Sequence, residues 1–182
     1  MHVVHVSGTP GAGKTMLGEH INTLQLPNVT VIDTDALIEP SAETPLPTDA
    51  TLYLLQWRTA FSTAIDQTIA AQRKLGTRVL VFVGILNHCG PPSGEIIEME
   101  AAAFRFFIDI PPARLLRQFY QRFTRQQGVD TDDFWDGVAR GRFHIPSSDA
   151  YLRDAHNDRE WHLVHGYTCC MPDVIINAVA LL

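Results

Sequence analysis

Along this chain, short β-branched apolar runs alternate with stretches whose apolar positions repeat every three to four residues. Val3–Val6, closed by Ser7-Gly8, predicts a first strand. A helix is expected from about Gly13 to Leu24, broken at Pro27-Asn28. Val29–Ile32 reads as a second strand, closed by Asp33-Thr34-Asp35, and Pro40–Asp49 as a surface loop. Trp57, Phe61, Ile65 and Ile69 recur every four residues and predict a helix over Leu52–Ala71. Arg78–Leu86 is almost continuously apolar, the pattern of a central parallel strand covered on both faces. After a Gly/Pro loop, Glu95–Ala103 predicts a short helix and Phe104–Ile110 another buried strand. Pro112 suits the first turn of a helix over Ala113–Gln126. Gly128–Asn157 is polar and shows no clear period, and Val174–Ile176 predicts a last core strand.

Strands alternating with helices imply a parallel sheet with right-handed crossovers, and such sheets bind ligands beyond the carboxyl ends of their strands. Gly8, Asp33, Asp35, Gly84 and the Pro111 turn are all expected at that edge, so residues distant in sequence would share one crevice. With 182 residues, 46% of them hydrophobic, the chain has enough apolar surface for one α/β domain over 1–182. No run of about 18 apolar residues predicts a membrane span. The first residues lack the basic and long apolar regions of a signal peptide. Three cysteines make no disulfide framework, and a cytoplasmic location is expected. The net charge of −6 argues against a nucleic-acid partner, which calls for a basic surface.

One segment carries the chemistry. Gly8-Thr9-Pro10-Gly11-Ala12-Gly13-Lys14-Thr15 fits G-x-x-x-x-G-K-[ST], with a predicted strand before it and a predicted helix, opening through Met16, after it. Glycines let the backbone curl so that successive N–H groups face phosphate oxygens, and the helix adds the positive end of its dipole. Lys14 would reach the β- and γ-phosphates of ATP, and Thr15 would hold Mg²⁺. The chain has only two lysines, Lys14 and Lys74, which makes Lys14 stand out from a general surface charge.

Through this loop and the segment Val31-Ile-Asp33-Thr-Asp35-Ala-Leu-Ile-Glu39, the chain resembles the P-loop kinases of the nucleoside-monophosphate-kinase-like group, and shikimate kinases most over residues 1–39. The resemblance implies a three-layer P-loop NTPase fold of about five parallel strands with a mobile lid over residues 114–145. It implies an acceptor-binding region over 36–77 and a small-molecule phosphate acceptor. It places Asp33 beside the magnesium ion and Asp35 on the acceptor hydroxyl, and it matches Arg58 to an arginine that binds a substrate carboxylate. Val81-Phe-Val-Gly84-Ile-Leu86 and Pro172-Asp-Val-Ile-Ile-Asn177 are similar to the third and last strands of uridine kinases, which assigns Gly84 to the acceptor side. Val83 stands where those enzymes carry an acidic residue, and Phe61 where shikimate kinases carry one.

The residues support a parallel reading. Two carboxylates two positions apart at a strand end face different directions, so one suits a metal and the other an acceptor hydroxyl, which an ionised aspartate orients or deprotonates. Capping and Asx turns are the structural alternative. In Ala113–Gln126, Arg114, Arg117, Arg122 and Arg125 fall within an arc of roughly 140°. Arginines that close on a transferring phosphoryl group stabilise its spreading charge, and Arg117 and Arg122 are the candidates. Arg140 and Arg142 form a second candidate pair. The spacing of His156, His162, His165, Cys169 and Cys170 does not suit zinc. The composite expectation is a phosphotransferase acting on a polyol or hydroxy acid, a nucleoside or a nucleoside monophosphate. An NTPase switch and a nucleotide-binding protein without catalysis stay open beside it.

Overall fold

Strand β1 (His2–Ser7) lies at the centre of a five-stranded parallel sheet of order β2-β3-β1-β4-β5. The other strands are β2 (Val29–Asp33), β3 (Val79–Val83), β4 (Phe104–Ile108) and β5 (Thr168–Cys170). This is a computed structural model that describes residues 1–37, 50–84, 99–126, 140 and 148–182. Its helices are α1 (Lys14–Thr23), α2 (Ala50–Lys74), α3 (Pro112–Gln126), α4 (Ser148–Val164) and α5 (Pro172–Leu181). The architecture is the expected three-layer α/β arrangement, a parallel sheet flanked by helices, with the glycine-rich loop joining β1 to α1.

The strand period of two sends alternate β1 side chains to opposite layers. Val4 and Val6 enter a core with Leu17 and Ile21 of α1, Leu115 of α3, Ala155 of α4, and Ile175 and Val179 of α5. Val3 enters the other core with Leu80, Phe82, Met99 and the α2 stripe Phe61, Ile65 and Ile69. The predicted stripe of α2 is therefore the buried one over these three residues, while the side chain of Trp57 lies outside the described set.

Several expectations are corrected. Val174–Ile176 is not a strand: it lies in α5, with Pro172 in the first turn and Asp173 beside it. Both are helix-start signals, and the buried residues Ile175 and Val179 are four apart, a helical spacing. The similarity of 172–177 to a final strand therefore fails, and the last strand is the three-residue β5 just before it. Residues 99–103 form a turn rather than the end of a helix, and 148–157 belong to α4. The expected loops 40–49 and 87–94, and most of the expected lid region, lie outside the described residues.

Gly84 follows β3 at φ 151°, and its N–H donates to the Val6 carbonyl at 3.0 Å. A Cβ at this position would lie 1.7 Å from Thr34 Oγ1 and 2.9 Å from Thr34 Cβ. Gly84→Ala therefore forces β2 and β3 apart at their carboxyl ends. Overpacking of this kind costs about 1–3 kcal/mol, and a drop of several degrees in the thermal midpoint is expected. An unchanged midpoint would contradict this packing.

Candidate functional site

The loop between β1 and α1 is built by its glycines and clamped by its neighbours. Gly13 caps α1 at φ 93°, in the left-handed region, with no side-chain cap. The first-turn N–H groups of α1 thus face the loop without a side-chain acceptor of their own. A Cβ on Gly11 would come within 3.4 Å of Phe119 Cα and the Tyr151 hydroxyl, so α3 and α4 both press on the loop. Tyr151 donates its hydroxyl hydrogen to the Pro10 carbonyl and stacks on Phe119, with ring centroids 4.1 Å apart. Thr9 and Ala12 are buried, whereas Pro10, Thr15 and Met16 are exposed. Lys14 Nζ reaches back over the loop to the carbonyls of Gly8 at 2.7 Å and Thr9 at 3.2 Å.

Beside the loop, Thr15 Oγ1 lies 3.4 Å from Asp33 Oδ2. The other oxygen, Asp33 Oδ1, accepts the Asp35 N–H at 2.9 Å and caps the short 3-10 turn Thr34–Ala36. One Asp33 oxygen thus shapes the turn, the structural alternative for this residue, and the other meets Thr15. Asp35 is exposed at the same edge. Thr15 and Asp33 together offer the hard oxygen donors that suit Mg²⁺, which typically takes one or two carboxylates plus phosphate oxygens. Among the described residues, no group of three or more His, Cys, Asp or Glu side chains is arranged to hold a metal.

Helix α4 crosses the loop with one stripe, Tyr151, Ala155, Asp158 and His162, spaced by four, three and four. Burial raises the Asp158 pKa to about 6 against the opposing pull of the Lys14 charge. His162 is buried, which lowers its pKa to about 4, and its ring packs on Phe107 at 4.5 Å. His5 of β1 is buried and lowered to about 3, mainly by desolvation. Its Nε2 is 3.1 Å from the Gly84 carbonyl, an acceptor only, so Nε2 carries the hydrogen and Nδ1 accepts from the Tyr167 hydroxyl at 2.6 Å. The Lys14 charge contributes at His5, Asp158 and His162 alike, which gathers β1, α4 and the loop around one point.

The remaining candidates are distributed less tightly. Arg114 and Arg117 are exposed on α3, opposite buried Leu115. The side chains of Arg58, Arg122 and Arg125, and all of Arg142, lie outside the described residues, and Arg140 is exposed. Asp109 pairs with Arg159 at 3.0 Å and ties the end of β4 to α4. This pair borders a groove of 310 Å³ that reaches Thr9, with Ile110, Pro112, Leu115 and Leu152 among its walls. Sequence reasoning overlooked Ser7, Tyr151, Asp158 and Tyr167, and weighed His162 only as a zinc ligand. Strand alternation alone puts His5 and Ser7 on one face of β1, the signal that was available.

No protein-family model matches the sequence, and comparison with curated proteins gives no match. Among solved structures, the chain is similar to a gluconokinase from Sinorhizobium meliloti 1021, at 19% identity and a TM-score of 0.40, over 86% of this chain and 73% of that one. No helix among the described residues is long and apolar enough to cross a membrane.

Proposed function

We propose that this chain is an ATP-dependent phosphotransferase that moves the γ-phosphate to a hydroxyl or phosphate of a small molecule. The observation that carries the reading is the approach of Thr15 Oγ1 to Asp33 Oδ2 directly beside Lys14, at the carboxyl edge of a parallel sheet. The glycine-rich loop and the start of α1 supply N–H groups for phosphate oxygens, and Lys14 neutralises charge on the transferring end. Thr15 and Asp33 would hold Mg²⁺, which neutralises phosphate charge when bound. Asp35, exposed beside them, orients the acceptor hydroxyl and takes up its proton. Arg117, with Arg122, closes on the phosphoryl group from α3, and Arg58 and Gly84 border the acceptor. A lid within 114–145 excludes water.

The reading is tested by incubating the protein with MgATP and a panel of polyols, sugar acids, nucleosides and nucleoside monophosphates. ADP release that depends on one acceptor supports it, and ATP binding with no acceptor-dependent release sinks it. The second outcome would favour a switch or a nucleotide-binding protein without catalysis, and buried, uncharged Val83 at the end of β3 speaks for the latter. Asp33→Asn is expected to raise the Mg²⁺ concentration needed for half-maximal activity about 10- to 100-fold. Magnesium titrations of wild type and variant check this, and identical curves would remove Asp33 from the metal site.

A further inference from the structure

The tip of the glycine-rich loop is a β-turn whose central peptide is held from outside. The Ala12 N–H donates to the Thr9 carbonyl at 2.9 Å and closes a turn over Thr9–Ala12. Pro10 stands at the second position, where its ring presets φ at about −65°. Gly11 stands at the third position with φ 88°. A positive φ there marks a type II turn, whereas a type I turn has about −90° at that position. The two types differ chiefly in the direction of the peptide between the second and third residues, here Pro10 and Gly11. Pro-Gly suits type II, but glycine also permits type I, so an outside contact decides how firmly this peptide is held.

That contact is Tyr151. Its hydroxyl donates to the Pro10 carbonyl, and its ring stacks on Phe119 with centroids 4.1 Å apart and planes 24° apart. The phenol is fixed by two helices: α4 carries it and α3 backs its ring. The outer side of the turn is therefore filled, and a Cβ on Gly11 would meet Phe119 Cα and the Tyr151 hydroxyl at 3.4 Å. A trans peptide carries its C=O and N–H on opposite edges. With the Pro10 carbonyl held toward Tyr151, the Gly11 N–H faces away from α4. No described residue accepts that N–H. A fixed amide donor without a protein partner, in a loop that leads into a helix N-terminus, suits an anionic oxygen. We infer that Tyr151 is a positioning residue for phosphate binding: its hydroxyl locks the Pro10–Gly11 peptide and so presents the Gly11 N–H to a phosphate oxygen of the nucleotide. The inference rests on the phosphotransferase reading and adds to it a residue that touches no substrate. A flipped peptide would turn the Pro10 carbonyl oxygen toward the phosphates, replacing an attraction by a repulsion. The hydroxyl thus counts for more than one neutral hydrogen bond.

Tyr151→Phe removes one oxygen and keeps the ring and its stack. Calorimetric titration of the full chain with magnesium pyrophosphate, MgADP and MgATP is expected to show about tenfold weaker binding of each to this variant. Pyrophosphate has neither base nor ribose, so an equal loss there assigns the effect to the phosphates. Tyr151→Leu, which also loses the stack, is expected to bind within about threefold of Tyr151→Phe. Its thermal midpoint falls further, since it also leaves a cavity. In amide nitrogen–proton correlation spectra, the wild-type Gly11 proton is expected to move downfield when pyrophosphate is added, and to move less in Tyr151→Phe. A folded Tyr151→Phe protein whose affinities stay within about twofold of wild type overturns the inference. Normal binding by Tyr151→Phe with weak binding by Tyr151→Leu also overturns it, because packing alone then accounts for the loss. So does a wild-type Gly11 amide that does not move when pyrophosphate binds, a result that needs no variant to fold. The expected weakening without acceptor-dependent ADP release keeps Tyr151 and removes the transfer reading. Acceptor-dependent ADP release with unchanged affinities in Tyr151→Phe does the reverse. A wild type that binds neither nucleotide nor pyrophosphate overturns both.

Discussion

Lys14→Ala is expected to reduce acceptor-dependent ADP release by about 10²–10³-fold, the cost of removing one preorganised donor from a developing anionic charge. The side chain is half-buried and crosses its own loop to the Gly8 and Thr9 carbonyls at 2.7 and 3.2 Å. Its charge also reaches His5, Asp158 and His162. The loss is therefore expected mainly in kcat, with a smaller loss in ATP affinity, since the loop amides proposed to grip the phosphates are unaffected. The fold should survive: Lys14 is at the first position of α1, and the helix is anchored by Leu17, Gly18 and Ile21. Single-turnover kinetics and a thermal scan on the same preparation check both parts. Retained activity in a folded variant would remove Lys14 from the chemistry.

How far the site could be read in advance depends on how local its determinants are. The glycine-rich loop is written in eight consecutive residues, and the phosphate binding proposed for it needs only the backbone conformations that those residues permit. The Thr15–Asp33 approach was also legible, because two strand ends of one parallel sheet must share an edge. Helix α4 was not. Its buried stripe is Tyr151, Ala155 and His162, so a search for apolar periodicity finds little, although Tyr151 and His162 are each held by a specific polar contact. Strand β5 escaped for a different reason. It is three residues long and half-buried, and the more apolar segment after it is α5, whose Pro172 was the stronger signal. The seat of Thr34 Oγ1 over Gly84 depends on the β2–β3 register and on Gly84 leaving room for it. That information is tertiary and has no trace in any single segment.

Stability should fall steeply on mild acidification, and two buried histidines give the sign. The pKa of His5 is lowered from 6.5 to about 3 and that of His162 to about 4, in both cases chiefly by desolvation. Between those values and 6.5, the unfolded chain takes up protons that the folded chain refuses. Their contribution is thus fully present above pH 6.5 and is lost as the pH falls, by up to ~1.4 kcal/mol per pH unit for each ring. Asp158 works in the opposite direction. Its carboxyl is raised from 3.8 to about 6, so the folded chain gains a proton first and recovers some stability below pH 6. That group is only partly buried and water screens it, so one carboxyl offsets less than two enclosed imidazoles lose. A net loss of about 3 kcal/mol between pH 7 and pH 5 is expected. Urea denaturation at the two pH values measures it. His5→Gln, which cannot titrate in this range, is expected to lose roughly half as much as wild type. A stability that stays flat from pH 7 to pH 5 would mean that neither ring is held neutral by burial.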